Sequence, residues 1–247
     1  MAVYTTIDDP SAHFQTATYT GNSSTQTITN DGNSDLQPDL IWIKARNSST
    51  YNHALQDTSR GLNLVLGSNT TNADGDVGNN VTSVNSDGFA LGDWSHTNYN
   101  SVTYAAWQWK AGGGTTSTNN DGDIASTVQV NSTAGFSIVQ YNPSNTTARS
   151  IGHGLGVQPQ VVIVRARDRV EDWRVFHRSA GTTGALTLNS TAAYNSNTVL
   201  FASDSTSTVF NVGTDFSVNG AYNYIAYCFA NVQGYSKHGK YVGNGNT

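Results

Sequence analysis

The loop at residues 92–100 carries the side chains best suited to binding chemistry. Trp94, His96 and Tyr99 stand there among Asp, Ser, Thr and Asn residues. Flat apolar rings beside hydrogen-bonding groups are typical of surfaces that recognise sugars, so we predict that these three residues contact a glycan or receptor. In a second interpretation Trp94 closes the end of its own β-sandwich. The frequent use of aromatic rings in protein cores favours this second interpretation.

No residue pattern marks a catalytic centre in the sequence. The chain has no Gly-x-Ser-x-Gly nucleophile motif, and no pair of carboxylates is set apart for acid–base work. His53, Asp57 and Ser59 are close along the chain, but a triad is defined by geometry that the sequence does not supply. The sequence therefore predicts a protein that is not an enzyme and that uses no cofactor.

The sequence also predicts no metal site. The six histidines never fall two to a short segment, and Cys228 alone cannot complete a zinc site. Residues 72–76 and 119–123 place oxygen side chains at the spacing of calcium loops. Both stretches lack the downstream bidentate Glu of an EF-hand, and Asn, Asp and Gly are also the usual turn residues. Turns are therefore the favoured interpretation, with calcium as the alternative.

An internal repeat determines how the chain is divided. Residues 36–46 (LQPDLIWIKAR) return as residues 157–167 (VQPQVVIVRAR), and residues 104–107 (YAAW) return as residues 224–227 (YIAY). Both pairs are separated by about 120 residues, which is far longer than a solenoid or propeller unit. Each copy is therefore long enough to be a domain of its own.

We divide the chain on the basis of this repeat. The tail resembles the beginning of the first copy, which predicts either a continuing polypeptide or pairing with a neighbour. The predicted parts are a first β-sandwich repeat at 1–112, a linker with one extra strand at 113–134, a second β-sandwich repeat at 135–236, and the tail at 237–247.

Composition indicates an all-β fold. Charged residues make up 12% of the 247 residues, whereas the abundant Thr, Val and Tyr suit strands and the 24 Gly suit turns. Short alternating segments with turn signals about every ten residues are typical of a β-sandwich or jelly roll. We therefore predict an all-β protein of two tandem, jelly-roll-like β-sandwich repeats.

Charge and cysteine content restrict the partners. A net charge of −5 with 12 Lys and Arg gives no basic field for phosphates, so nucleic acid is not a predicted partner. No apolar stretch has the length of a membrane span, and no signal-peptide pattern is present, so membrane insertion is not predicted. The single Cys228 excludes an intramolecular disulfide. Weakly charged strand surfaces tolerate close subunit packing, and we predict a homo-oligomer, with a trimer as one option.

Basic side chains end the repeated strand in both copies. Lys44 and Arg46 in the first copy correspond to Arg165 and Arg167 in the second. Because these residues recur in both copies, a role at the strand end is favoured over a ligand site. The predicted ion-pair partners are Asp57 and Asp172.

The repeated motifs carry a resemblance to a known family. Together with residues 31–33 (DGN), 104–113 (YAAWQWKAGG) and 224–230 (YIAYCFA), they make the chain similar to repeat-containing virion structural proteins of marine tailed phages, especially cyanophages, often labelled as tail fibres. The resemblance covers nearly the whole chain.

This resemblance implies residence in a phage particle. It predicts a non-enzymatic virion component, either a tail fibre or another appendage, that assembles with other virion proteins and takes part in host attachment. Synthesis would occur in the host cytoplasm, and a host surface glycan is a predicted partner. Two alternatives stay open: a capsid decoration or fibre protein, and a carbohydrate-binding adhesin that uses the Trp94 loop.

Overall fold

The structure is a computed structural model that describes residues 5–143 and 147–245. Its regular structure is almost entirely β-strand, which confirms the all-β prediction. The helical elements of the described residues are a 3-10 turn at Pro10–Ala12 and one four-residue helix, α1 (Ser95–Asn98). The finer description as tandem, jelly-roll-like sandwiches stays an interpretation.

The first half of the chain forms two main sheets. In one, β1, β9, β3 and β4 are neighbours in that order; in the other the order is β2, β8 and β7, and β5 pairs with β6. The strands are β1 (Phe14–Thr20), β2 (Gln26–Ile28), β3 (Leu40–Ala45), β4 (Ala54–Asp57), β5 (Leu64–Val65), β6 (Gly75–Asp76), β7 (Val81–Asn85), β8 (Gly88–Leu91) and β9 (Thr103–Trp109).

The second half repeats this strand order. Its larger sheet contains β12, β19, β14 and β15 in that order, extended by β11 and β10 at one edge and by β16 at the other; its smaller sheet has the order β13, β18 and β17. The strands are β10 (Ser117–Asn119), β11 (Ser126–Asn131), β12 (Phe136–Tyr141), β13 (Arg149–Gly152), β14 (Pro159–Ala166), β15 (Arg174–His177), β16 (Leu186–Thr187), β17 (Phe201–Ser203), β18 (Val209–Val212) and β19 (Tyr224–Ala230).

The segment predicted as a linker is therefore part of the second large sheet. It carries two strands, β10 and β11, where the sequence predicted one. Val128 of β11 is 4% exposed and belongs to the core of the second half. Burial of this side chain explains why a segment with the composition of a flexible linker is held against the sheet.

Each half has its own apolar core between its two sheets. Strand side chains alternate between faces, so Ile41 and Ile43 of β3 point into the first core with Phe89 of β8. Val162 and Val164 of β14 enter the second core in the same way. Equivalent strands therefore bury the apolar side chains in both halves.

A third core joins the outer faces of the two large sheets. Leu40 and Leu55 from the first half pack there with Phe136, Ile138 and Ile225 from the second. We call this contact the seam. Because its apolar side chains come from both halves, each large sheet is covered on both faces over this area, which stabilises the association of the halves.

A buried polar network lies within the seam. The Asp57 carboxylate accepts a hydrogen bond from Arg60 Nε at 2.6 Å and another from the Tyr227 hydroxyl at 2.8 Å. Both charged side chains are fully buried. Burial alone would lower the pKa of Arg60, but the charge and hydrogen bond of Asp57, joined by Tyr227 and Asp74, together outweigh burial, and the pKa ends above its ordinary value. The first half thus places an ion pair against a tyrosine of the second.

The basic residues at the strand ends do have structural contacts, but the predicted partners are wrong. Arg167 Nε binds Asp74 at 2.9 Å, and Arg165 donates to two backbone carbonyls of the loop at 71–72. Asp57 is already paired with Arg60, as described above. The loop between β5 and β6 crosses to β14 and supplies the partners of Arg165 and Arg167. This contact joins residues that are far apart in the sequence, so the predicted partners Asp57 and Asp172 were not the ones used.

The two ends of the described fold lie side by side. Thr5 packs against Gly234, which has a φ of +78° and no side chain; a Cβ there would approach the Thr5 Cβ to 2.6 Å. The rings of His13 and Tyr235 are 6.0 Å apart, centroid to centroid. The chain therefore returns to its starting point.

Candidate functional site

The structure brings the three predicted surface residues together and adds a fourth. Trp94 precedes α1, His96 lies within it and Tyr99 follows it. The Trp94 and His96 rings stack with centroids 4.5 Å apart, and Tyr51 lies 5.7 Å from His96 and 5.6 Å from Tyr99. We call these four residues the aromatic cluster.

A buried asparagine fixes the segment that carries the cluster. Asn98 is fully buried, and its amide donates to the carbonyls of Gly92 at 2.6 Å and Ser24 at 2.5 Å. Its side-chain oxygen accepts from the backbone N–H of Asn22 at 2.9 Å and from Gln26 Nε2 at 2.6 Å. One side chain therefore ties α1 to the β1–β2 connection and to the end of β8.

Two tyrosine hydroxyls complete this support. The Tyr104 hydroxyl donates to the Ser95 carbonyl at 2.9 Å and accepts from the Tyr99 N–H at 2.9 Å. The Tyr19 hydroxyl donates to the Thr97 carbonyl at 2.7 Å. These contacts satisfy backbone groups of a helix too short to satisfy them itself. The cluster is thus carried on a rigid base.

The sequence did not predict Tyr51 and Lys44 as parts of this site. Lys44 Nζ, at the end of β3, donates to the carbonyls of Ser48 at 3.1 Å and Tyr51 at 2.9 Å. These two bonds hold the loop after β3 in a fixed path, and that path brings Tyr51 to the other rings. The basic residue at the strand end was visible in the sequence, but its target was not, because the loop path depends on tertiary contacts.

The cluster is electrically neutral at neutral pH. Partial burial lowers the pKa of His96, and the nearby Lys44 ammonium lowers it further, so the imidazole is uncharged. Tyr51 and Trp94 pack their inner faces against the first core. Tyr99 is the most open member, with 48% of its surface exposed. The arrangement offers ring faces and a phenol hydroxyl to a ligand.

Trp94 accordingly fits both interpretations of the sequence. It packs on the first core, as a residue that closes the end of the sheets would, and it also stacks on His96 in the cluster. Whether the three predicted residues bind a glycan stays a prediction.

His53, Asp57 and Ser59 have separate partners in the structure. His53 Nδ1 contacts the indole N–H of Trp42, while Asp57 binds Arg60. The Ser59 hydroxyl accepts from Gln129 Nε2 at 2.9 Å. These contacts do not assemble the three side chains into a triad.

The Asx-rich stretches have internal partners too. Asp74 accepts from Arg167, and Asp123 accepts from the backbone N–H and hydroxyl of Ser150. Within residues 5–143 and 147–245, no group of three or more His, Cys, Asp and Glu residues could hold a metal ion. In the same part of the chain, no helix is long and apolar enough to cross a membrane.

One family comparison matches almost the whole chain. The sequence model of the family described as "Domain of unknown function (DUF7483)" covers residues 9–247. No curated protein and no solved structure matches the chain.

Proposed function

We propose that this chain, which belongs to the DUF7483 family of domains of unknown function, is a non-enzymatic structural protein of a tailed-phage virion. It forms part of a tail fibre or another appendage and mediates assembly and host attachment. The repeated motifs and their resemblance to phage virion proteins support residence in the particle. The aromatic cluster is the structural observation that supports attachment.

The cluster has the physical properties that an attachment surface needs. Rings with few rotatable bonds lose little conformational entropy when a ligand orders them, and the buried contacts of Asn98 have already fixed the backbone beneath them. A neutral platform of aromatic faces suits the C–H face of a sugar, and the Tyr99 hydroxyl can bond a sugar hydroxyl. The proposed ligand is therefore a host surface glycan.

Association with other copies is part of this proposal. Tyr241 and Val242 are 93% and 90% exposed, which is far more than other large apolar side chains of the described residues. Adjacent apolar side chains left in water favour burial at a contact with another subunit. We therefore propose that the segment with Tyr241 and Val242 takes part in homo-oligomerisation and in contacts with other virion proteins.

Glycan binding can be tested with a matched pair of substitutions. We expect the wild-type chain to bind host surface glycans on an array and Tyr99→Ala to lose that binding by tenfold or more. Phe216→Ala is the control, because Phe216 is an aromatic residue of the second half with a similar exposure of 53%. Equal binding by all three proteins would remove the aromatic cluster from attachment.

Residence in the particle needs a separate experiment. Gold-labelled antibodies against this chain, imaged on intact particles, should decorate the tail or an appendage. Labelling over the capsid would instead support the alternative of a decoration or fibre protein of the capsid. Purified particles that carry none of this chain by labelling and mass spectrometry would contradict a virion role, leaving the carbohydrate-binding adhesin as the alternative.

A further inference from the structure

A cleft at the edge of the seam has a different lining from the aromatic cluster. It has a volume of about 560 Å3, which falls within the usual range for small-molecule sites. The first half and the loop after β16 of the second half form its walls, and none of the cluster residues lines it. The lining residues are Trp42, His53, Ser68, Asn69, Leu188, Asn189, Ser190 and Thr191.

The hydrogen bonds inside the cleft fix the protonation of His53. The Trp42 indole N–H, which can only donate, lies 3.1 Å from His53 Nδ1, and the buried Ser68 hydroxyl lies 2.9 Å from the same nitrogen. His53 Nδ1 must therefore be the acceptor, and the neutral ring carries its proton on Nε2. Partial burial, followed by the charge of Lys44, lowers the pKa of His53 and favours this neutral form.

Two amides stand at opposite walls with their orientations fixed. Asn69 accepts from the backbone N–H of His53 at 2.9 Å and donates to the Asn52 side chain at 2.9 Å. Asn189 accepts from the backbone N–H of Trp173 at 2.9 Å and donates to the Asp172 carboxylate at 2.9 Å. An amide nitrogen has two hydrogens and an amide oxygen two lone pairs, so each side chain retains capacity for a ligand. Their fixed orientation lowers the entropic cost of binding.

The lining has no ionised side chain at neutral pH. It combines the apolar surfaces of Trp42 and Leu188 with amides, hydroxyls and a neutral imidazole. A charged ligand would lose hydration here without gaining an ion pair, whereas a neutral polyhydroxylated ligand exchanges its water contacts for equivalent hydrogen bonds. A sugar ring has the matching pattern of an apolar C–H face and hydroxyl edges.

We propose that this cleft is a binding site for a neutral saccharide. The sugar lies against Trp42 and Leu188, and its hydroxyls bond the amides of Asn69 and Asn189. Because the walls belong to different halves, the site exists only when the halves are joined at the seam. The proposal does not depend on the aromatic cluster or on a place in the virion.

The test uses the full chain and a defined panel of polysaccharides. Neutral glucan, galactan, mannan and xylan oligosaccharides are compared with sulfated and uronic-acid oligosaccharides by calorimetry and by the indole N–H resonances in NMR spectra. We expect at least one neutral oligosaccharide to bind and to shift the Trp42 indole resonance, with weaker or no binding of the anionic ones.

Two substitutions of equal exposure locate the binding. Leu188 and Val199 are each 37% exposed, and only Leu188 lines the cleft. Leu188→Asp places a charge in the cleft and should weaken neutral oligosaccharide binding more than tenfold, whereas Val199→Asp should leave it unchanged. Unaltered melting temperatures check that both variants are folded.

Three outcomes would overturn the proposal. The first is that no neutral oligosaccharide binds the wild-type chain. The second is that anionic oligosaccharides bind more tightly than neutral ones. The third is that binding survives Leu188→Asp and is lost in Tyr99→Ala, since that result assigns the sugar to the aromatic cluster and leaves the cleft without a ligand.

Discussion

The two halves of the molecule agree in their buried contacts. Tyr104 and Tyr224 each use one hydroxyl to bind the carbonyl and the N–H of a short segment before the last strand of their half. Each also stacks on a second tyrosine, at centroid distances of 5.2 and 5.0 Å. Asn219 repeats the role of Asn98, because its amide donates to the Gly213 carbonyl at 2.6 Å. The same buried tyrosine and asparagine hydrogen bonds therefore occur in both copies.

The halves differ in the side chains that surround this asparagine. Counted from Asn98 and Asn219, the positions of Trp94, His96 and Tyr99 in the first half are taken in the second half by Asp215, Ser217 and Gly220. The support is therefore duplicated, while the aromatic cluster is present in one copy. This contrast teaches that the segment serves as a base whose other positions are free to differ, which is the usual division between scaffold and binding surface.

The turn after β4 and the equivalent turn after β15 each carry an ion pair, and the two ion pairs differ in burial. In the first half, Asp57 and Arg60 are fully enclosed by the seam. In the second, Arg178 pairs with Asp204 at 3.0 Å, with the Arg178 side chain 41% exposed. One ion pair is thus part of the contact between halves, and the other lies at the surface.

The largest expected effect comes from breaking the buried pair. Arg60→Ala leaves the Asp57 carboxylate buried without its cation and should lower the free energy of unfolding by about 3–5 kcal/mol. Arg178→Ala, the control at the exposed pair, should cost no more than about 1 kcal/mol. Urea unfolding followed by tryptophan fluorescence measures both. Similar losses in the two variants would mean that the seam does not enclose its ion pair.

The shared tyrosine contacts predict a smaller and equal effect. Tyr104→Phe and Tyr224→Phe each remove a hydroxyl that serves a backbone carbonyl and a backbone N–H, so each should cost about 1–3 kcal/mol. The same unfolding experiment measures both variants. A large loss in one and none in the other would break the equivalence of the two supports.

Acid should destabilise the fold through His153, the buried histidine of the second half. His153 is fully buried; its Nδ1 accepts from the Leu155 N–H, and its Nε2 contacts the Thr206 carbonyl. Burial lowers the pKa of His153 below its ordinary value of 6.5. The unfolded chain therefore binds this proton more readily, so stability holds above pH 6.5 and declines as the pH falls from 6.5 through the lowered pKa.

Melting temperatures measured from pH 8 to pH 5 test this dependence. His153→Gln can keep both hydrogen bonds without the titration, so its melting temperature should decline less than that of the wild type. His96→Gln, at the partly exposed ring of the first half, should remove a smaller share of the decline. An acid response unchanged in His153→Gln would contradict the assignment.

The smallest expected effect on stability is at the aromatic cluster, which only the first half carries. Tyr99→Ala keeps the backbone N–H that binds Tyr104 and removes a half-exposed ring, so the free energy of unfolding should change by no more than about 0.5 kcal/mol. Phe216→Ala should be as mild. A loss above about 2 kcal/mol in Tyr99→Ala would make the aromatic cluster a structural feature rather than an open surface.

Local sequence patterns were enough to predict the all-β class and an internal repeat, although not every strand. The recurrence of residues 36–46 as 157–167 and of Tyr104 as Tyr224 indicated equivalent strands in two copies, and both strand orders agree with that repeat. Period-two patterns predict strands well, since they report which face of a sheet is buried. The predicted surface residues were also neighbours, because α1 (Ser95–Asn98) contains His96 and connects Trp94 to Tyr99.

Contacts between segments that are distant in the sequence could not be predicted from local patterns. Asp57 meets Tyr227 across 170 positions, and nothing local to either residue encodes that meeting. Tyr51 joins the aromatic cluster only because Lys44 redirects its loop. The low-charge segment with β10 and β11 has the composition of a linker, and its burial against the second core overrides that composition.

The adjacency of Thr5 and Gly234 has a mechanical consequence. A pulling force applied through these two segments enters and leaves the fold at one point. It acts on the nearest contacts one after another, as in unzipping, instead of loading the long hydrogen-bonded strands all at once in shear. The contacts at this corner are therefore the first to break when the fold is pulled in this direction.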